Sequence, residues 1–367
     1  KIGSPGVVHT DALGEYLRDN FFQLRPQVTT RAANSPINAA FATDLFWDGR
    51  ARTQFIDPQS GQVAIISGGG LESQAVAPPA SGVEMGHDGI DWNQIAAKLA
   101  SSQPLALASS LTADMAAAVA GNPSYSDLFT QAFGDSAITA RRIAFAIATY
   151  QRTLIANQTR FDLGTLTPQQ QQGFQLFQLH NCNACHVPPL FTGNGFRNIG
   201  LRPPGEALGR QVVTNNPADR GRFKVPSLRN VGLKNSFMHN GQFTTIQQVF
   251  GFYDRAPGTQ QFPDNQDPVM ATVRIPPQDG PAVQEFLTNG LLDTRVRDGV
   301  FPFDQPTLFT QRPADRPTTL GGGVAGSGGL IPQIVAADPP MVGSTIFRIG
   351  LDNALGGATA RLAISTQ

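Results

Sequence analysis

The sequence is short of cysteine, of charge and of long apolar runs, and each shortage removes a class of protein. Two cysteines in 367 residues cannot build a disulfide framework. Charged residues make up 15%, below the roughly 25% usual in soluble domains. The 27 Lys and Arg balance 27 Asp and Glu, so there is no basic footprint for nucleic acid or an anionic membrane. No run approaches the roughly 18 apolar residues of a transmembrane helix. The opening residues 1–11, KIGSPGVVHTD, lack the charged-then-apolar layout of a signal peptide. No solenoid-type repeat is visible either.

What is present is turn-forming and moderately apolar. The 38 glycines and 28 prolines exceed the usual shares of roughly 7% and 5%. Hydrophobic residues reach 40%, enough for an ordered core, and the length suits about two domains. Helices are expected over 11–22, 37–46, 91–101 (Asp91 as N-cap), 104–120, 124–133 and 138–156. Further helices are expected from Pro168 up to the cysteines, over 244–253 and over 279–289. In 138–156, Ile143, Ile147, Tyr150 and Leu154 recur at helical spacing and predict the buried stripe. Residues 51–90 and 187–243 read as loops. Residues 319–329 (TLGGGVAGSGG) read as a linker. Residues 345–351 and 359–364, separated by a turn at 353–357, read as a hairpin. The expected fold is mainly α and loop-rich, with a small C-terminal β-hairpin tail.

Both cysteines fall in one run, Cys182-Asn183-Ala184-Cys185-His186, the pattern of c-type haem attachment. Thiols three positions apart can both reach the vinyl groups on one porphyrin edge, and the adjacent imidazole then falls under the iron. Half of a zinc site is the competing reading, but there is no second Cys pair, and His180 alone does not complete four ligands. For the sixth iron ligand, Met238, His239, Tyr253 and Met270 all lie downstream, and spacing does not choose among them.

Several stretches together resemble the bacterial di-haem cytochrome c peroxidases and their MauG-type relatives. They are LFWDGRA at 45–51, ESQA at 72–75, VEMG at 83–86, the CNACH run, FKVPSLRN at 223–230, FMHNG at 237–241 and VFGFYDR at 249–255. They occur in the family's order and cover about residues 25–300. The resemblance implies two cytochrome-c-like haem domains: 1–160 as the remainder of the peroxide-reactive domain and 161–302 as the C-terminal, electron-accepting one. Residues 303–367 lie outside it, as a Gly/Pro-rich tail suited to surface attachment or assembly. It further implies that Trp47 lies between the haems, that Gln74 and Glu84 line the peroxide pocket, and that Glu84 moves the proton needed for O–O cleavage. It points to Tyr253 as the sixth ligand, with Met270 second. It also implies a calcium ion near Asn34 and the carbonyls of Lys234 and Ser236.

The sequence departs from the family in three places. It has one CxxCH, so the peroxide-reactive haem is expected on a segment upstream of Lys1. No His stands in 27–30, where many relatives have one that blocks the reactive haem, so that haem should be open without prior reduction. A stretch over about 53–70 is inserted, as a flap at the pocket. The resulting expectation is an oxidoreductase that reduces hydrogen peroxide or uses it to oxidise a partner protein. Its electrons would come from a small cytochrome or cupredoxin, in the periplasm or at the bacterial cell surface. An upstream fragment or a second copy is a candidate partner. The alternative, which takes the single CxxCH at face value, is a mono-haem electron-transfer or structural cytochrome.

Overall fold

A computed structural model describes residues 5–11, 17–19, 23–24, 26–257, 259 and 261–308. In the tail it describes 325, 329, 331, 333–336 and 349–352. The helices are α1 (Gly70–Ala75), α2 (Trp92–Ala100), α3 (Ala113–Ala118), α4 (Tyr125–Phe133) and α5 (Ala140–Thr153). They continue with α6 (Pro168–Leu179), α7 (Gln211–Thr214), α8 (Ile246–Asp254), α9 (Gly280–Glu285) and α10 (Thr294–Asp298). Among the described residues the strands pair two by two, antiparallel. They are β1 (Pro5–Val8) with β4 (Pro26–Val28), β2 (Arg18–Asp19) with β3 (Gln23–Leu24), and β5 (Phe55–Ile56) with β6 (Val63–Ile65). The rest are β7 (Ala108–Ser109) with β10 (Thr307–Leu308), β8 (Phe196–Arg197) with β9 (Phe223–Lys224), and β11 (Gln333–Ala336) with β12 (Ile349–Asp352). The helix-rich, loop-rich expectation holds.

Local chemistry sets the helix starts. Asp91 and Gln94 form a reciprocal capping box at α2, each bond 2.8 Å. Thr167 with Gln170, and Thr245 with Gln248, do the same at α6 and α8. Pro168 at the first position of α6 has no N–H to leave unpaired.

Several expected elements differ. Residues 18–19 are a strand, not part of a helix over 11–22. Only Ala39–Phe41, a single 3₁₀ turn, forms in 37–46. Helix over 104–120 shrinks to α3, because Ala108 and Ser109 pair with β10 instead. The supposed loop 51–90 contains α1 and a hairpin. Strand 349–352 overlaps the end of the expected first tail strand 345–351 but pairs with 333–336; residues 345–348 and 359–364 lie outside the described residues.

In α5 the buried face is Ala140, Ala144 and Ala148, each fully buried. The expected stripe is displaced: Ile147 and Tyr150 are exposed, and only Leu154 is buried. Small residues win because α1 packs directly onto this face, where Leu71 meets Ala148, and Phe55 of β5 fills the space beside Ala75 and Ala144.

The larger core lies beyond residue 160. Phe177, Phe191 and Phe286 are almost wholly buried, and Phe161 and Phe174 join them with ring centroids 4.9–6.4 Å apart. α6 crosses α9 at Gly173, so closely that a Cβ there would overlap the Ala282 carbonyl oxygen. This contact fixes the direction in which α6 delivers the chain to the cysteines.

The two sides of residue 160 interlock. Arg229 makes a two-pronged ion pair with Asp162, both bonds 2.6 Å, and donates to the carbonyls of Ala156 and Pro189. Asn38 bonds both ways with Ala156. Gly49, in the left-handed region at φ +75°, lies under Phe196 and Arg210, whose guanidinium stacks on that ring at 3.7 Å.

Candidate functional site

After α6, Asn181 turns the chain in the left-handed conformation (φ 59°), which Asn tolerates. A 3₁₀ turn over Cys182–Ala184 then brings both thiols and His186 to one cavity of about 260 Å³. Both thiols are free. Burial pushes Cys182 up to about 12 and also raises Cys185, so both stay protonated. Among the described residues no three His, Cys, Asp or Glu side chains assemble as a metal-binding group.

His186 is oriented by two carbonyls. Its Nδ1 is 3.1 Å from both the Phe191 and the Pro226 oxygens. Those oxygens can only accept, so Nδ1 carries the proton and Nε2 keeps its lone pair. Burial pushes the ring down to about 4, which keeps it neutral, the form that ligates a metal. Two free thiols, an oriented neutral imidazole and a largely apolar cavity fit a covalently held haem c.

Both sixth-ligand candidates reach the same cavity. Tyr253 comes from α8, between buried Phe250 and Phe252 and Asp254 at the helix end. Burial raises its phenol above the usual range, with the two cysteines adding to the shift. Met270 comes from a 3₁₀ turn over Pro268–Ala271 and is 2% exposed. Asp267 caps that turn and pairs with Arg197 at 2.7 Å, while Arg255 donates to the Met270 carbonyl at 2.7 Å. Met238 and His239 also line the cavity. So do Asn34, Lys234 and Ser236, the residues expected near calcium.

Trp47 lines this cavity too, although it is 135 residues from Cys182 in sequence. Its indole N–H donates to the Ala32 carbonyl at 2.7 Å, and its own carbonyl accepts from Lys224 N at 2.8 Å. Beside it, His239 stands edge-on at 6.3 Å and stacks flat on Phe223 at 3.7 Å. The LFWDGRA, FKVPSLRN and FMHNG stretches thus meet at one wall.

Gln74 and Glu84 do not line the cavity. Gln74 lies in α1, and its neighbour Glu72 is tied to Arg152 of α5 at 2.7 Å. Glu84 is half-buried on the loop 82–86. That loop is braced from the N-terminal side. Val7 N donates to the Glu84 carbonyl at 2.8 Å, and the Gln27 amide donates to the Gly82 and Gly86 carbonyls at 3.0 and 2.5 Å. His9 meets Asp88 at 2.8 Å. The inserted 53–70 stretch is the β5–β6 hairpin, anchored by the fully buried Phe55. Sequence reasoning did not single out Gln27, His9, Arg229 or Lys224 for these positions, since only tertiary contacts give them partners.

Residues 9–167 match the family model described as di-haem cytochrome c peroxidase. The chain is 30% identical over 252 residues to cytochrome c551 peroxidase of Nitrosomonas europaea, covering 65% of this chain and 63% of that protein. It is 30% identical over 243 residues to methylamine utilization protein MauG of Methylophilus methylotrophus, covering 63% and 60%. It thus spans under two thirds of the length of these relatives. Among crystal structures, a MauG-like protein associated with microbial copper homeostasis superposes with a TM-score of 0.56 at 21% identity, over 81% of both chains. The diheme peroxidase BthA of Burkholderia thailandensis superposes with a TM-score of 0.53 at 21% identity, over 80% and 78%. The fold is shared with both.

Proposed function

We propose that this chain, a relative of the di-haem cytochrome c peroxidases and MauG proteins, is a haem c oxidoreductase. It would reduce hydrogen peroxide or use it to oxidise a partner protein, with the His186 site as electron relay. In this reading Cys182 and Cys185 would hold the porphyrin by thioethers, and His186 Nε2 and Tyr253 would ligate its iron, with Met270 the alternative to Tyr253. The bound group supplies a one-electron Fe(III)/Fe(II) couple. Held by both His186 and Tyr253, that group would serve as the electron relay, and peroxide would be reduced at a second haem. Trp47 lies between the two, Gln74 lines the peroxide pocket, and Glu84 moves the proton between the two oxygens. Domains 1–160 and 161–302, a tail over 303–367, a bound calcium ion, a small cytochrome or cupredoxin as donor, and a place outside the bacterial inner membrane complete the reading.

The observation that carries it is that Trp47 and the Cys182–His186 turn open onto one cavity, with Trp47 bonded to β9. In this reading the indole at that wall serves electron passage between the haems. Intact mass counts the haems, and stopped-flow absorption follows the reaction with peroxide. The expected result is a fast reaction that Glu84→Gln slows roughly 10²–10⁴-fold at unchanged haem content. Fast turnover by a protein with one haem, indifferent to Glu84→Gln, refutes the division of labour and makes the His186 site the reactive one. One haem with no peroxide reaction supports the mono-haem electron-transfer cytochrome, which the single CxxCH favours.

A further inference from the structure

Among the described residues five cationic side chains line the cavity, Arg197, Arg202, Lys224, Arg229 and Lys234, and no Asp or Glu does. Three of the five already have carboxylate partners: Arg197 with Asp267, Arg202 with Glu206, and Arg229 with Asp162. Lys234 is exposed to solvent. Lys224 has neither outlet. It is 9% exposed, and its ammonium makes one hydrogen bond, to Asn194 Oδ1 at 2.9 Å. Among the described residues no carboxylate pairs with it. Asp44, the carboxylate whose charge it feels, is engaged by Arg210 at 3.1 Å and Arg52 at 3.8 Å.

An ammonium has three N–H donors and no acceptor, so two donors remain to be matched. A buried charge left unpaired is strongly disfavoured, and buried charges are ordinarily paired with an opposite one. The side chain is also not free to swing out. Lys224 pairs with Phe196 across β8–β9, its N–H is bonded to the Trp47 carbonyl, and its neighbour Phe223 is stacked on His239. A ligand in the cavity must therefore bring the anion. A porphyrin held through its vinyl edge by Cys182 and Cys185 brings two carboxylates on another edge.

We propose that Lys224 is the anchor for a carboxylate of the group held at Cys182, Cys185 and His186, a porphyrin propionate. The proposal rests on the haem c reading of that turn. Arg197, Arg202 and Arg229 are less suited, since the charge of each is already balanced by a carboxylate. Burial pushes the Lys224 ammonium down to about 8, with Asp44 pulling the other way, and a bound carboxylate adds to Asp44's pull. A cation held at the porphyrin edge favours the ferrous state.

The test is potentiometry of the holoprotein with Lys224→Met, Lys224→Gln and Lys224→Arg; the glutamine variant stands in if the methionine variant does not fold. The neutral variants should keep covalent haem by intact mass and move the Fe(III)/Fe(II) equilibrium about tenfold toward ferric, about 59 mV. Lys224→Arg should stay within about threefold of wild type, and the propionate bands in resonance Raman spectra should shift only in the neutral variants. A shift below about threefold in the neutral variants, or an arginine variant displaced as far as they are, overturns the proposal. Wild-type protein with no covalent haem by mass instead overturns the haem c reading beneath it.

Discussion

Replacing Gly173 by alanine sets two opposed effects against each other, and the structure decides between them. In a helix interior, alanine is favoured over glycine by roughly 1 kcal/mol. At Gly173, however, a Cβ would overlap the Ala282 carbonyl oxygen and come within 2.7 Å of its carbon and 2.8 Å of Phe286 Cβ. Two of these atoms are backbone and the third roots a fully buried ring, so none can swing aside. Overpacking a close-packed core costs about 1–3 kcal/mol, and overlap with rigid backbone puts this site at the upper end. The net expectation is a loss of about 2 kcal/mol, or a fall in Tm of roughly 4–8 °C at 2–4 °C per kcal/mol. Gly251 in α8 is the internal control. A Cβ there meets only Ala256 Cβ, at an ordinary 3.7 Å. Gly251→Ala should therefore be neutral or stabilising by up to about 1 kcal/mol. Calorimetry of both variants in the holoprotein reads the sign directly. If Gly173→Ala proves as stable as Gly251→Ala, the α6–α9 contact is not the close approach described here.

Asp162→Ala removes the partner of Arg229, whose side chain is 4% exposed; chemical denaturation should show a loss of about 3 kcal/mol or more. Burial, with help from Arg31 and Arg202, pushes His239 down to about 3. The unfolded chain therefore takes up that proton first as pH falls, so stability is full above about pH 6.5 and declines from there toward about 3. His239→Phe, which can keep the stack on Phe223, should make this acid limb shallower by up to about 1.4 kcal/mol per pH unit, read from denaturation midpoints at several pH values. Tyr253→Phe should raise the haem potential and alter the ferric spectrum, because a phenolate favours Fe(III). A near-infrared Met–Fe(III) band in wild type, lost in a Met270 variant, would assign the ligand to Met270 instead.

How much could be read beforehand followed from the range of the interactions involved. Cys182, Cys185 and His186 form a covalent and coordinative unit within five residues, so the sequence alone exposes it. Capping at Asp91 is likewise settled within one turn. The opposite holds for 37–46, whose apolar residues look helical but are drawn into contacts with α1 and α5 on either side of Leu45. Trp47 and Glu84 could be named only by resemblance, since their surroundings come from β9 and from the N-terminal strands. Lys224 was invisible because its burial depends on Asn194, Phe196 and Trp47 converging around it. A lone lysine in an FKVPSLRN stretch carries no sign of that.

The alanine face of α5 inverts the usual map of mutational tolerance. Along this helix the bulky positions, Ile147 and Tyr150, stand in solvent and should accept polar replacements with little change in fold. The intolerant positions are Ala140, Ala144 and Ala148, where even a valine must push against α1 or Phe55. A saturation library scored for folding would find its forbidden sites among the least conspicuous letters of the helix. Because α1 also carries Gln74, alanines without any chemistry of their own set where that amide sits. Enlarging Ala144 or Ala148 would therefore shift α1, and Gln74 with it, without any change at Gln74 itself.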